Sequence, residues 1–549
     1  MKSMGKQSAV LGLLLVASLG LAGVKVDETT ITLPTYAPGG YDKTPVFFTG
    51  RVYQGAQGRV YPYPMQDVLH DVKKDETYKY LILENDWLQM GLLPEHGGHL
   101  LNFTDKQSGF ETFYRQHVIK PALIGMLGAW ISGGVEWNFP HHHRATTAMP
   151  IDWKLEANKD GSKTIWIGET ELRRRLKWTI GLSLLPDRAV LQAENKFMNR
   201  GPYIESMIYW ANVSVHCGDD YQVLFPPSCH LGFDHHKNFW TSFPIGPKKV
   251  DHSWIPSQRS KYADDVDGTI DLSWWKNFNA ESRSIFAMDP ENDWIAGYDH
   301  RKNAGTAHVS NRHITVGKKF FLWGNFPEAH VWDTVLTDTD GPYLELMVGC
   351  WSDNQPDYSW IDPYETRTVK QYWFPVKGIG GVKNVTIDGA VNLERKEKKD
   401  EALLGFHSTR VLRGCTVELL ENGKPVFTEK KVTIDPNTPW CKTVKVSADV
   451  KDQALTGRLL DKDGTVILAY TPVPEDSHAP LPPKVANPKP PADYTSAEEL
   501  YLTGLRLDQF HNGLIDPVPY YEQALKLDPS YSAARSEERR VGKECRSRW

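Results

Sequence analysis

With 549 residues, 40% of them hydrophobic and 24% charged, the chain is too long for one ordinary core and is expected to form two or three soluble domains. A formal charge of −5 without a long basic stripe argues against nucleic acid as a partner. Its 19 Trp, 23 Tyr and 20 Phe suit sugar binding, because pyranose rings stack their C–H faces on aromatic rings, although most of these rings must fill a β core.

Residues 1–22 read as an export signal. Lys2 and Lys6 precede a short apolar run from Val10 to Ala22, and small Gly20 and Ala22 offer a cleavage site. The run is too short to span a bilayer comfortably, and no later stretch is long and apolar enough. A periplasmic or secreted protein without a membrane span is expected.

From Tyr78 onward strands dominate. Tyr78–Glu84 and Trp87–Leu93 flank the turn formers Asn85 and Asp86. Thr164–Glu171, Lys177–Leu185, Ala189–Asn199 and Glu205–Val215 then follow like a meander, and no long amphipathic helix competes before residue 490. Residues 30–381 are therefore expected to form a large β-sandwich or barrel.

Residues 382–473 carry shorter strands, with hairpin signals at Glu421–Lys424 and Asp461–Gly464, and predict an immunoglobulin-like β-sandwich. Cys415 and Cys441 in this unit are candidates to bridge its strands. Residues 474–492 form a Pro-rich linker. From 493 to 535 the period becomes helical, and Gly504, Tyr521, Ala524 and Pro529 resemble the start of a tetratricopeptide repeat, a protein-docking scaffold. Residues 536–549 show no periodicity and read as sequencing or vector sequence joined to a truncated frame.

Three clusters carry chemistry. The first is Leu93–His99, in which His96 and His99 flank paired glycines. The second is Trp130–Arg144, with Trp130, Glu136, Trp137, His141, His142, His143 and Arg144. Glu136 and the imidazoles of His142 and His143 can move protons near neutral pH, and Arg144 can orient a carboxylate. Successive His residues on a strand alternate sides, so a metal would need ligands from elsewhere, such as His96 or His99. The third cluster begins with Tyr343–Gly349 and includes Asp353. Glu345 there interrupts an apolar strand, where burial would raise its pKa and suit it to general acid or base work; an outward-facing Glu is the alternative. Asp299 and His300 add polar groups suited to sugar hydroxyls. Nothing matches a phosphate-binding glycine loop, a zinc-protease helix or a nucleophile elbow, so no cofactor and no resident metal is expected.

These stretches resemble a bacterial family of secreted proteins in which a domain of unknown function precedes tetratricopeptide repeats. The matching segments include LPEHGG, WISGGVEWNFPHHHRATTAMP, FPPSCH and DGPYLELMVGCWSDNQPDYSW, in one order over about Thr30 to Gly381. Fragments also look like the galactose-mutarotase-like superfamily, which implies a mainly β protein with a large β super-sandwich and a carbohydrate ligand. By that resemblance Glu345 matches a mutarotase base and the His141–His143 run an acid position, although the usual Asn-His and Asn-Leu-x-Gly-His signatures are lacking.

The favoured expectation is a glycoside hydrolase acting on an oligosaccharide or polysaccharide. Its acid–base pair would be Glu136 and Glu345, at a separation of about 5–5.5 Å for retention or roughly 6.5–9.5 Å for inversion. Trp130, Trp137, Arg144, His96, His99, Asp299, His300 and Asp353 would bind substrate. Aldose epimerase or lyase chemistry through the His run, and a non-catalytic glycan-binding scaffold, are the rival readings.

Overall fold

Strands with apolar residues on alternate positions can pair only if their apolar faces meet, and the chain does this on a large scale. The computed structural model describes residues 23–42, 60–125, 127–141, 143–235, 240–247, 268–279, 282–288, 291–350, 359–474, 481–483, 486–509 and 515–547. The protein is mainly β, and all its paired strands run antiparallel among the described residues.

Two large sheets face each other. One has seven strands in the order Trp240–Ser242, Leu231–Asp234, Arg283–Ala287, Gly317–Leu322, Tyr343–Gly349, Trp210–His216 and Val135–Asn138. The other has eight, centred on Thr366–Lys377 and Leu191–Asn199. Between them lies the main core, to which the first sheet contributes Trp137, Val213, Phe320, Leu344 and Leu346 and the second Ile180, Leu182, Phe197 and Trp373. A four-stranded sheet, Lys25–Thr35, Lys74–Glu84, Leu88–Leu93 and His99–Asp105, joins the same core through Leu81, Leu83, Met90 and Leu100. The expected large β-sandwich is the observed architecture.

A second β unit follows. Two four-stranded sheets enclose their own core around Val391, Leu404, Phe406, Val417 and Leu459. It docks on the large sandwich through a separate apolar cluster that joins Trp294, Tyr298 and Phe374 to Ile379, Val382 and Val385. Lys377 ties the junction: its Nζ donates to Asp105 Oδ2 at 2.6 Å and to Asn437 Oδ1 at 3.4 Å. Cys415 and Cys441 belong to different sheets of this unit and are both free thiols, so the disulfide considered from the sequence does not form.

Beyond the Pro-rich segment, helices Ala497–Gln509, Val518–Leu527 and Ser532–Ser547 pack around Leu500, Leu507, Tyr521, Ala524 and Ala534. Gly504 lets the first two meet, since an added Cβ would lie 2.8 Å from the Tyr521 ring. The tail read as lacking periodicity continues the last helix, and Arg540 pairs with Asp508. Among the described residues no helix is long and apolar enough to cross a membrane.

Candidate active site

The candidate site is built by strand register. Residues directly opposite in an antiparallel pair share a face. Asn212 lies opposite Glu136, Ser214 opposite Glu345, and Phe321 opposite Glu345 on the other side. Lys319 stands opposite Met347, and Phe286 opposite Lys319. Glu136, Asn212, Ser214, Glu345, Lys319 and Phe286 therefore occupy one face of the seven-stranded sheet, the face turned away from the main core. The backbone positions that carry the two carboxylates are two strands apart, roughly 10 Å across the sheet.

Alternation assigns the other face to packing. Val135, Trp137, Ala211, Val213, Leu344, Leu346 and Val348 all point into the main core. Trp137, expected to bind substrate, is one of them: it is adjacent to Glu136 and so must face the opposite way.

Loops cover the polar face. Tyr114 stacks obliquely on Tyr343 at 5.0 Å, and Trp130 meets the His143 ring edge-on at 5.8 Å. Trp323 stacks on Trp332 at 4.2 Å beside them. His143 adopts a left-handed backbone (φ 53°), and Gly125 makes room for it, because a Cβ there would lie 2.4 Å from the imidazole. This pose brings His143 Nδ1 to 3.1 and 3.2 Å from the two oxygens of Glu136.

Both carboxylates are buried, Glu136 at 6% and Glu345 at 8% exposure. Their surroundings differ. Glu136 is paired with the His143 ring, whereas Glu345 accepts one 3.3 Å contact from Asn212 Nδ2. Burial, and after it the charge of Glu136, push the Glu345 carboxyl up to about 7 against the pull of His143 and Lys319. Two carboxyls in unlike environments can divide the roles of proton donor and ionised partner. Further polar atoms on this face are buried without a hydrogen-bond partner: both amide atoms of Asn138 and the Oδ1 of Asn212. Such groups are what a polar ligand would satisfy.

The raised pKa makes a stability prediction. The folded protein holds the Glu345 proton up to about 7, against an ordinary value of 4.5, so stability is fully present below that ordinary value and falls as pH rises through 7. A displacement of this size is worth roughly 3 kcal/mol. Glu345→Gln is therefore expected to melt well above the parent protein at pH 8 and close to it at pH 5. Thermal unfolding at the two pH values checks this; equal changes at both would contradict it.

The other expected site residues lie elsewhere. Arg144 is buried over the Trp178 ring at 4.7 Å and donates to the Gly97 carbonyl at 2.8 Å, so it braces a turn. Its charge is matched by Glu169 at 3.6 Å. His96 and His99 sit in the wall of the four-stranded sheet, where burial lowers them to about 4 and about 3. Both ring nitrogens of His96 and the Nε2 of His99 are buried without a hydrogen-bond partner. His141 contacts Ser206 at 3.0 Å, away from the carboxylates. Asp299 accepts from the Lys302 amide in a hairpin turn of the eight-stranded sheet, and His300 contacts Gln222 at 3.0 Å. His142 and Asp353 lie outside the described residues. Among the described residues no group of three or more His, Cys, Asp or Glu could hold a metal ion.

Asn212, Trp210 and Lys319 were not expected. A polar residue inside the apolar run of Trp210–Val215 was the available signal for Asn212. Two successive Lys in Lys318–Leu322 required that one of them face this side.

A separate open pocket of 680 Å³ lies at the junction with the second β unit, lined by Phe110, Lys302, Asn303, Asn437 and Pro439 among others. Neither Glu136 nor Glu345 lines it. Glu111, His216 and Lys377 also line it, but no pair of buried carboxylates does, so the carboxylate face is the better candidate for acid–base work.

The family model described as "Domain of unknown function (DUF5107)" matches residues 56–376, and the model of a YphG-like protein's second domain matches residues 384–470. A crystal structure of a TPR-domain-containing protein from Parabacteroides distasonis is similar, with 21% identity and a TM-score of 0.53 over 65% of this chain. The chain spans 56% of that protein's length. A putative aldose 1-epimerase from Klebsiella pneumoniae has 11% identity and a TM-score of 0.39, over 54% of this chain and 79% of its own. A galactose mutarotase-like protein from Clostridium acetobutylicum has 9% identity and a TM-score of 0.37, over 55% and 96%.

Proposed function

The chain belongs to the family described as domain of unknown function DUF5107, and on that premise we propose that it is an exported carbohydrate-processing enzyme, a glycoside hydrolase with Glu345 as acid and Glu136 as base or nucleophile. One observation carries the reading: two buried carboxylates share one sheet face, and burial drives Glu345 towards neutrality. Protonated Glu345 gives its proton to the glycosidic oxygen as the C–O bond breaks. Ionised Glu136, oriented by His143, receives the positive charge developing at the sugar carbon, either directly or through a water it deprotonates. The rings of Trp130 and Trp323 at the border of this face suit stacking on a pyranose.

The test is a panel of plant and host glycans incubated with the full chain and read as released products. Shortened products support hydrolysis. A second reading rests on the Glu136–His143 pair, which can exchange protons opposite Glu345 without cleaving a glycosidic bond by water. Epimerised or unsaturated products would favour it. Binding without any product would favour a scaffold that holds glycan on the β domain and a protein partner on the helices.

Export is part of the proposal. Fractionation and N-terminal sequencing should find mature protein starting near Gly23 outside the cytoplasm. Cytoplasmic protein with Met1 intact would overturn that part alone.

A further inference from the structure

Lys319 lies on the same sheet face as Glu345, one strand away, and is 1% exposed. Its ammonium stands 4.7 Å from the centre of the Trp210 ring and 4.6 Å from that of Phe286. A cation between two aromatic faces is held electrostatically and loses most of the freedom a surface lysine has. One ring comes from a flanking strand, Phe286 directly opposite Lys319, and the other, Trp210, from the strand beyond that of Glu345. The preceding Lys318 faces the other way, into the protein, so the pair is not a diffuse basic patch.

We propose that Lys319 is the positioning residue of the site, a caged positive charge that controls whether Glu345 carries its proton. The inference rests on the acid role proposed for Glu345, and its test is independent of turnover. The charged and titratable groups facing Glu345 are Lys319 from one neighbouring strand, Glu136 from beyond the other, His143 from the covering loop, and Tyr343 on its own strand. Glu136 and Lys319 act on Glu345 in opposite senses, one holding the proton on and the other drawing it off. Burial and Glu136 hold the proton on Glu345, while His143 and then Lys319 draw it off, so that release falls in the neutral range, where an acid must be able to reload and an enzyme must turn over. The rings matter because they fix the distance over which that charge acts.

The experiment is a pH titration of the Glu345 carboxyl by difference infrared spectroscopy on the full chain, with Glu345→Gln subtracted to isolate its band. Lys319→Met should move the midpoint up by about one pH unit, the size expected for losing one nearby opposite charge. Lys319→Arg should restore it, and Glu136→Gln should move it down. Lys319→Gln serves if the Met variant does not fold. An unchanged midpoint in a folded, uncharged variant overturns the proposal, because a merely structural lysine would leave it in place. A shifted midpoint in a protein that releases no product from any glycan would retain the role of Lys319 and remove only the hydrolase reading.

Discussion

Glu345→Gln is expected to lose about a hundredfold or more in turnover while keeping its fold, and Glu136→Gln to lose at least as much. The glutamine amide occupies the carboxyl's space and can still pair with Asn212, but it has no proton to give at any accessible pH. The parent protein should lose activity as pH rises through about 7, because Glu345 then releases the proton it must donate. The Glu136 variant also removes the negative charge that holds that proton, so two effects add there. A full pH–rate profile on the product-forming glycan checks both. Unchanged turnover in either variant removes the assigned acid–base pair.

Gly134→Ala is expected to cost several kcal/mol of stability and to empty the soluble fraction. Gly134 precedes the strand that carries Glu136 and adopts φ +55°. A Cβ there would lie 1.9 Å from the Leu100 carbonyl oxygen, a backbone atom of the neighbouring four-stranded sheet that cannot rotate away. The glycine also donates to the Tyr114 carbonyl at 2.9 Å and accepts from the Ser214 amide at 2.9 Å, so it joins the covering loop to the central strand of the site. The overlap forces these elements apart, which places the cost at roughly 2–4 kcal/mol, beyond the usual range for a left-handed alanine. Gly341→Ala is the control: φ is +75° but nothing lies within 4 Å of the added atom, so about 1 kcal/mol is expected. Urea unfolding of both variants makes the comparison, and equal losses would show that backbone conformation rather than close approach decides the position.

The strands were legible where one face is buried. Leu191–Asn199 alternates buried and half-buried positions along its whole length, and the expected Ala189–Asn199 differs from it only at the start. The carboxylates were legible for a related reason, since a charge among apolar neighbours needs a purpose. What the sequence did not reveal was pairing. Nothing in Val135–Asn138 names Trp210–His216 as its neighbour, yet that pairing places Asn212 beside Glu136. Trp137 could have been excluded from the site by alternation once Glu136 was chosen. Arg144 could not, because its partners Gly97 and Glu169 come from distant segments. The tail read as sequencing or vector sequence continues the last helix, whose buried contact, Ala534, lies before it.

The most direct measurement is a crystal structure of the Glu345→Gln variant soaked with an oligosaccharide that the parent protein converts. A sugar ring lying on the sheet face between positions 136 and 345, with its hydroxyls on Asn212 and Asn138, is the predicted result. Sugar bound instead in the junction pocket beside Phe110 and Asn437, with the carboxylate face empty, would contradict it.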